Sequence, residues 1–355
     1  MNKTMKALVY HGPDKITLDD VPVPKIEKET DAIVRVTLGA ICGSDIHIIA
    51  GHTHLEPERT VGHEFCGEVV EVGSAVKDFK VGDRVVASCI AYCGECWYCK
   101  NNMAVHCTDK DGGCYGTDSS SLQGAQAEYV RVPFAKTSLH HIPDGMSEEQ
   151  VLFTGDILST GYLAVRNAHI KDGDTVLVIG NGPVGKSAIE IIDKMTGAAR
   201  VIVAGRRQSR LDFDKEHGLG DVFINTSKVD IVEEVLKLTD GYGADATIEA
   251  IGCEEALIWA VDCCKVGGHV STIGVYPFPV TLPMERLWLK NLTLSWGFVL
   301  VDEIDDLLTL IQNGKIDVTS FITHKGRLND IVEGYDIFKN RIGNCVKWVY
   351  TPYEH

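Results

Sequence analysis

The sequence has no apolar run that approaches the roughly 20 residues a membrane-spanning helix needs. It also contains no low-complexity stretch and no short-period repeat. Positive charge is scarce, because 34 Lys and Arg stand against 50 Asp and Glu for a net charge of -16. Nucleic acids and anionic membranes need clustered Lys and Arg on the protein, so we expect neither as a partner.

No charged and then apolar segment precedes the first strand-like run at 5–10, so we expect no secretory leader. With 355 residues, of which 45% are hydrophobic, the chain can bury a core without disulfides, and its length favours two domains. We therefore expect a cytoplasmic protein whose twelve cysteines are reduced.

Four cysteines form a C-x2-C-x2-C-x7-C row at Cys93, Cys96, Cys99 and Cys107. This spacing lets one short loop close a tetrahedral thiolate shell, so it predicts a structural zinc site. The alternative, a set of disulfides, is disfavoured by the reducing setting. Four thiolates leave no open position on the metal, so the chemistry must lie elsewhere.

Two patterns divide the chain and predict an α/β protein. Up to about Val130, short β-branched runs are broken by Gly, Pro and Asp, as in small barrels and hairpins. From about Thr160, strands alternate with Gly-rich turns and helices, which predicts a doubly wound parallel sheet. The tail after about Gly297 has helical patterns and a strand-like end, and could complete either domain.

A G-x-G-x-x-G motif follows a buried-strand run and opens a helix. In this context the glycines allow a tight turn, and the helix N-terminus receives a pyrophosphate. The predicted dinucleotide-binding residues of the turn are Gly180, Gly182, Pro183, Val184 and Gly185. The alternative is a Gly-rich turn that binds no ligand.

The next strand of this region ends in Gly205, Arg206 and Arg207. About twenty residues after the fingerprint, an NAD site has an Asp or Glu that accepts from the ribose 2′-hydroxyl. Here no carboxylate repels a 2′-phosphate and guanidinium groups can bind it, so the sequence favours NADP(H). The alternative is that these arginines are solvated charges on a loop.

Cys42 and His63 supply a thiolate and an imidazole, the first two ligands expected of a metal site with an exchangeable position. A lone Cys or His is usually just packed, but polar neighbours surround this pair in the sequence. Asp45 could orient the imidazole of His63, and Ser44 and His47 offer a hydroxyl and an imidazole for proton transfer.

These motifs, together with Gly62-His63-Glu64 and the turn at 81–85, occur in the order found in zinc-dependent medium-chain alcohol dehydrogenases, which the chain resembles over essentially its whole length. The resemblance implies a GroES-like β-rich catalytic domain at 1–156, completed by 297–355, and a Rossmann domain at 157–296. It also implies an active site in the cleft between the domains and a homotetramer, with a dimer as the alternative.

The third ligand of the catalytic zinc also follows from the resemblance. Family members carry a cysteine or a glutamate in the segment that here reads Thr154-Gly155-Asp156, so Asp156 is the expected ligand. This residue and the Gly-Arg strand end resemble bacterial NADP-dependent secondary alcohol dehydrogenases, although those lack the structural zinc. The implied proton path runs from Ser44 through the nicotinamide ribose to His47. Glu64 is either a transient zinc ligand or an acid that binds nearby backbone or an arginine.

The resulting prediction is an enzyme with two zinc ions per chain that transfers hydride between NADP(H) and small secondary alcohols and ketones, or aldehydes. One alternative is a polyol, diol or sugar dehydrogenase of the same family, whose substrates need a pocket that pairs several hydroxyls. A second is a non-enzymic NADPH-binding or zinc-binding protein on the same fold, which the intact metal ligands disfavour.

Overall fold

The structure is a computed structural model that describes residues 3–118 and 120–353. The chain divides into two compact units. The first unit comprises Met1–Ser159, Leu300–Gly314 and Phe321–His355, and the second comprises Thr160–Val299 and Lys315–Ser320. Within the described ranges, no helix is both long and apolar enough to cross a membrane.

Strands form the sheets of the first unit and the central sheet of the second. In chain order they are β1 (Thr4–Gly12), β2 (Lys15–Pro22), β3 (Ala32–Ala40), β4 (Arg59–Thr60), β5 (Glu64–Val72), β6 (Arg84–Ala87), β7 (Ile90–Ala91), β8 (Gly113–Cys114), β9 (Tyr129–Val132), β10 (Leu139–His141), β11 (Thr175–Ile179), β12 (Arg200–Gly205), β13 (Val222–Asn225), β14 (Ala244–Glu249), β15 (Cys264–Thr272), β16 (Thr293–Trp296), β17 (Ile322–Arg327) and β18 (Lys347–Thr351).

The longer α-helices lie mainly in the second unit and the C-terminal segments. In chain order the helices are α1 (Gly43–Ile49), α2 (Trp97–Lys100), α3 (Ala135–Ser138), α4 (Glu148–Val151), α5 (Ile157–Asn167), α6 (Pro183–Met195), α7 (Gln208–Glu216), α8 (Ile231–Leu238), α9 (Glu254–Cys263), α10 (Met284–Leu287), α11 (Ile304–Gln312) and α12 (Ile331–Asn340).

The first unit is built on a sheet with the order β10-β6-β5-β3-β18-β17, in which β9 also pairs with β3. A smaller sheet has the order β2-β1-β4. The C-terminal strand β18 lies antiparallel to β3, with Val349 opposite Ala40. The end of the chain therefore completes the core of the first unit, where Phe65, Tyr115 and Trp348 are buried in one apolar cluster.

The second unit contains a parallel sheet with the order β13-β12-β11-β14-β15-β16. Residues Val176 to Ile179 of the central strand β11 are fully buried, as expected of a parallel strand covered on both faces. The strand order reverses between β11 and β14, as in the Rossmann fold, whose ligands bind beyond the carboxyl ends of the strands at that point. The predicted parallel-sheet architecture is confirmed.

Candidate active site

The first metal-ligand residue, Cys42, stands at the N-terminus of α1 and is held there by the helix itself. The Asp45 carboxylate accepts a hydrogen bond from the Cys42 backbone N–H at 2.9 Å, which closes a capping box. The Gln126 amide donates to the same carboxylate at 3.1 Å. Tyr335 of α12 in turn donates to the Gln126 amide oxygen at 2.8 Å, so α12 supports α1 through the side chain of Gln126.

His63 is brought to Cys42 by the turn that leads into β5. Gly62 has a φ of +95°, and a Cβ atom there would lie 2.4 Å from Cγ of Gln126, so glycine is required. The imidazole is buried, and its Nδ1 lies 3.4 Å from Oδ1 of Asp45. Asp45 therefore contacts the ring from the side opposite Nε2, in keeping with the predicted orienting role.

Asp156 completes a group of three buried ligand atoms. It follows the short 3₁₀ turn Leu152–Gly155 and immediately precedes α5. Its Oδ2 lies 3.2 Å from Sγ of Cys42 and 3.4 Å from Nε2 of His63. Zinc with bonds of about 2.0–2.3 Å places tetrahedral ligand atoms about 3.3–3.8 Å apart, so the three side chains fit the ion.

The charges in this pocket also favour a bound cation. Burial, with the Asp156 and Glu64 carboxylates beside it, raises the pKa of the Cys42 thiol to about 12. A divalent ion would offset the cost of gathering a thiolate and carboxylates away from water. The buried Glu64 Oε1 also has no hydrogen-bond partner among the described residues.

Glu64 lies against a lysine. The Lys347 ammonium group donates to Glu64 Oε2 and to the backbone oxygen of Ile41 at 2.9 Å, and both charged side chains are fully buried. Burial raises the pKa of Glu64 to about 7, although Lys347 opposes the rise. Sequence analysis missed Lys347, whose one signal is a charged residue in the apolar run of β18.

The two residues predicted to move the proton lie on α1. Ser44 Oγ is 3.1 Å from His63 Nε2, which places the hydroxyl beside the metal-ligand atoms. His47 is half-buried, and its Nδ1 lies 3.2 Å from Nδ1 of the exposed His52. The structure thus puts a hydroxyl at the ligand cluster and, further along the same helix, an imidazole that contacts a second imidazole beyond the helix end.

The four-cysteine row forms the second ligand group. Its sulfur atoms all lie within 4.8 Å of one another, and Cys96 and Cys99 are 3.4 Å apart, well beyond a disulfide bond. Backbone N–H groups point at the sulfurs, including that of Cys93 at 3.3 Å from Cys107 Sγ. Such contacts from Cys99 and Thr108 lower the pKa of Cys96 to about 6, which favours the thiolate that zinc binds.

The glycine-rich turn has the geometry of a phosphate-binding loop. Gly180 has a φ of +97°, and a Cβ on Gly185 would lie 1.8 Å from the backbone oxygen of Gly180. Gly182 caps α6, and Pro183 is its first residue. A Cβ on Gly182 would meet only the Arg210 guanidinium, at 3.6 Å. Val184, the second residue of α6, is partly exposed. Space for a ligand is therefore left where a nucleotide would approach the helix N-terminus.

The end of β12 carries the residues predicted to select the cofactor. Gly205 is buried, and Arg207 is exposed at the N-terminus of α7. Arg206 is also exposed and lies 3.3 Å from the Glu255 carboxylate. Arg210, one turn into α7, has its guanidinium beside Gly182. One guanidinium group thus lies beside the turn, and two more belong to exposed arginines at the end of β12.

A parallel sheet with a nucleotide-binding turn, a buried Cys-His-Asp group and a four-thiolate group together define a zinc- and nicotinamide-dependent oxidoreductase. Comparison with known families agrees: residues 28–144 match the alcohol dehydrogenase GroES-like domain, and residues 183–313 match the zinc-binding dehydrogenase family. The chain belongs to the zinc-dependent medium-chain alcohol dehydrogenases. The predicted combination of a GroES-like domain and a Rossmann-type domain is confirmed.

Relatives cover nearly the whole chain. An alcohol dehydrogenase of Cupriavidus necator is 35% identical over 99% of this chain and 100% of its own length. The structure of the alcohol dehydrogenase TADH from Thermus sp. ATN1 has a TM-score of 0.93 and 34% identity, covering 98% of this chain and all of that one.

Two further similar structures contain different cofactors. An alcohol dehydrogenase from Escherichia coli, in complex with NADH, has a TM-score of 0.89 and 25% identity. A zinc-binding dehydrogenase from Sinorhizobium meliloti, bound to NADP, has a TM-score of 0.85 and 27% identity. Each similarity covers 99% of this chain and 100% of the other. The nicotinamide cofactor is thus common to them, and the choice of nucleotide is not.

Proposed function

We propose that this alcohol dehydrogenase uses NADP(H) and acts on small secondary alcohols and the corresponding ketones, with aldehydes as further substrates. The observation that carries the cofactor choice is the end of β12, where Gly205 stands at the place of an acidic residue. Arg206 and Arg207 follow it directly, and Arg210 lies beside the glycine-rich turn. The positive charges of these arginines would attract a 2′-phosphate, and β12 contributes no carboxylate that would repel it.

The metal-ligand groups support two zinc ions, one catalytic and one structural. Cys42, His63 and Asp156 would hold the catalytic ion, with a fourth position left for substrate. When bound, zinc supplies a Lewis acid for the substrate oxygen and the nicotinamide supplies the hydride acceptor or donor. The four-thiolate group leaves no open position on its metal, so it would stiffen the segment around residues 93–111, called here the four-cysteine lobe.

The residues of α1 would handle the proton. Ser44 Oγ, beside the ligand cluster, would take the proton from the substrate hydroxyl, and the half-buried His47 would release it towards solvent. The contact between His47 and His52 extends this path to an exposed imidazole. Asp45 would keep the His63 ring in position, and Glu64 would remain bound to Lys347 as a neighbour of the zinc ligands.

The substrate class is supported by the third ligand. An aspartate in the position of Asp156 is the choice of the bacterial secondary alcohol dehydrogenases that the chain resembles.

A homotetramer is part of the proposal. It is supported by the sheet edge at β16 and by the exposed aromatic side chains of Trp288, Trp296 and Phe298 in the second unit. Light scattering of the purified enzyme would measure its mass directly.

The test is a panel of 2-alkanols, diols, polyols and primary alcohols, each measured with NADP and with NAD. We expect the highest kcat/KM for a 2-alkanol with NADP. Arg206→Ala and Arg207→Ala should each weaken NADP binding by about 10- to 150-fold, the loss typical of one charge-assisted hydrogen bond, with little effect on NAD. Arg286→Ala, an arginine of the same unit paired with Asp262, is the matched control.

Equal or better efficiency with NAD in the wild-type enzyme would contradict the cofactor proposal. A polyol or sugar as the best substrate would favour the polyol dehydrogenase instead. Absence of turnover on the whole panel, with both zinc ions bound, would favour a non-enzymic protein on this fold.

A further inference from the structure

Beneath the glycine-rich turn lies a buried charged pair that neither the metal chemistry nor the proton path uses. The Lys186 ammonium group of α6 bonds to the Asp214 carboxylate of α7, and both side chains are fully buried. The ammonium group also lies 4.3 Å from the ring centroid of Phe213. Burying two charges is costly unless each is satisfied by further contacts.

The pair holds the side chain of Asn181, the second residue of the glycine-rich motif. Asn181 is 4% exposed, and its Nδ2 donates to Asp214 Oδ2 at 2.6 Å. An ionised carboxylate can only accept hydrogen bonds. The amide nitrogen of Asn181 must therefore face Asp214, which turns the amide oxygen in the other direction.

The amide oxygen of Asn181 faces the end of β12. A Cβ atom on Gly205 would lie 2.4 Å from Oδ1 of Asn181, 3.0 Å from Cγ and 3.3 Å from Nδ2. The oxygen is thus the nearest atom to the place where a side chain at position 205 would begin. Gly205 is glycine here because Asn181 occupies that space.

In NAD sites an acidic side chain near this strand end accepts from a hydroxyl of the adenosine ribose. We propose that Asn181 Oδ1 performs this task as a neutral acceptor, with Asp214 and Lys186 as positioning residues that keep the amide oxygen turned towards the end of β12. A neutral oxygen can bind a ribose hydroxyl without repelling a 2′-phosphate. A carboxylate could also bind the hydroxyl, but its charge would repel the phosphate. The inference rests on the proposed binding of a nucleotide at this turn.

Binding of ADP and of 2′,3′-dideoxy-ADP to the zinc-loaded enzyme, measured by calorimetry, tests the acceptor. We expect the wild type to bind ADP about 3- to 10-fold more tightly, the preference that one neutral hydrogen bond gives. Asn181→Leu should bind both nucleotides alike. The control is Asn340→Leu, because Asn340 makes a similar amide–carboxylate bond to Asp336 at 2.6 Å on the exposed face of α12.

If Asn181→Leu keeps the wild-type ratio, or if the wild type does not discriminate, the acceptor is wrong. The ratio of NADP to NAD affinity in the wild type is a separate result, because it tests the arginines and not Asn181. If ADP does not bind at all, the nucleotide site itself is wrong and the proposed function falls with the inference.

The double variant Lys186→Met with Asp214→Leu tests the positioning pair. Replacing a buried ion pair with apolar residues of similar volume usually preserves folding, so the thermal midpoint reports any general damage. With Asp214 gone the amide can rotate, and we expect the preference for ADP to fall to less than half of the wild-type ratio. Asp214→Asn should keep it, since its amide oxygen can still accept from Asn181. A wild-type ratio in the folded double variant would show that the pair has only a structural role.

Discussion

The two metal-ligand groups of this enzyme lie in the same unit but are built in opposite ways. Cys42 and Asp156 stand 114 positions apart in the chain, and the fold buries both of them together with His63. Cys93 and Cys107 are 14 positions apart on one half-exposed loop. The first group exists only in the folded unit and leaves a metal position open, whereas the second is local and closed.

The surroundings of the two groups differ in the same sense. The catalytic group depends on distant side chains, such as Lys347 beside Glu64 and Gln126 on Asp45. The four-cysteine lobe is joined to the rest of its unit by ion pairs, with Lys28 at 2.7 Å from Asp111 and 3.5 Å from Asp109. Damage to the first should therefore remove activity, and damage to the second should reduce stability.

The largest effect should come from the catalytic group. Cys42→Ala removes one of three protein ligands, and we expect kcat/KM to fall by at least about 10³-fold, since the metal contributes several kcal/mol to catalysis. Metal analysis should find one zinc per chain, retained by the lobe. Cys263→Ala, a buried cysteine outside both groups, is the control and should keep two. Loss of both ions from Cys42→Ala would show that the two metal sites are not independent.

The proton path gives the next effect. Ser44→Ala should lower turnover by roughly 10²-fold while cofactor affinity stays nearly unchanged. His47→Ala should do less, because water can substitute at the exposed end of the path. Rates on a substrate whose chemical step limits turnover measure this effect, and Ser74→Ala, at an exposed serine after β5, is the control. Unaltered turnover in Ser44→Ala would remove the serine from the mechanism.

Loss of one thiolate from the four-cysteine lobe should lower the thermal stability of the protein. Cys107→Ser should release the lobe zinc and lower the thermal midpoint by about 5–15 °C, because binding of a structural zinc contributes directly to folding. The kcat of the folded protein at low temperature should stay within about threefold of the wild type. Cys253→Ser, at an exposed free cysteine, is the control. A loss of kcat as large as in Cys42→Ala would show that the lobe takes part in the chemistry.

The smallest effect should come from the attachment of the lobe. Lys28→Met removes ion pairs that are partly exposed, each worth about 0.2–1 kcal/mol, so the midpoint should fall by about 1–4 °C. Both zinc ions should remain. Lys80→Met, which breaks the pair of a more exposed lysine with Asp83, provides the reference in calorimetry. A fall comparable to that of Cys107→Ser would mean that Lys28 is needed for the lobe to fold.

Features encoded by local sequence patterns could be predicted best. The four cysteines, the glycine-rich turn and the parallel sheet are defined by spacing and periodicity within short stretches. The parallel sheet is confirmed, and the four cysteine sulfurs lie together as their spacing predicts. Asp156 was expected only from the family resemblance, because nothing near it in sequence indicates a metal. The structure places it with Cys42 and His63.

Features that depend on long-range contacts could not be predicted. Lys347 meets Glu64 across 283 positions, and the sequence suggested an arginine or backbone partner for that acid. The sequence predicted that Arg206 and Arg207 bind a 2′-phosphate or are solvated charges, and it did not reveal the Glu255 carboxylate that lies against Arg206. The role of Gly205 is likewise visible only when Asn181 packs against it. Spacing along the chain does not encode which distant side chain fills a given space.

Removal of zinc by a chelator tests the difference between the two groups most directly. The purified, active enzyme would be incubated with dipicolinate, with bound zinc and activity measured in the same samples over time. The account predicts two zinc ions per chain at the start and loss of activity in step with the first. The second should stay bound much longer, because four thiolates leave no open position, and added zinc should restore activity. Activity that survives loss of the first ion, or active protein that begins with fewer than two, would contradict it.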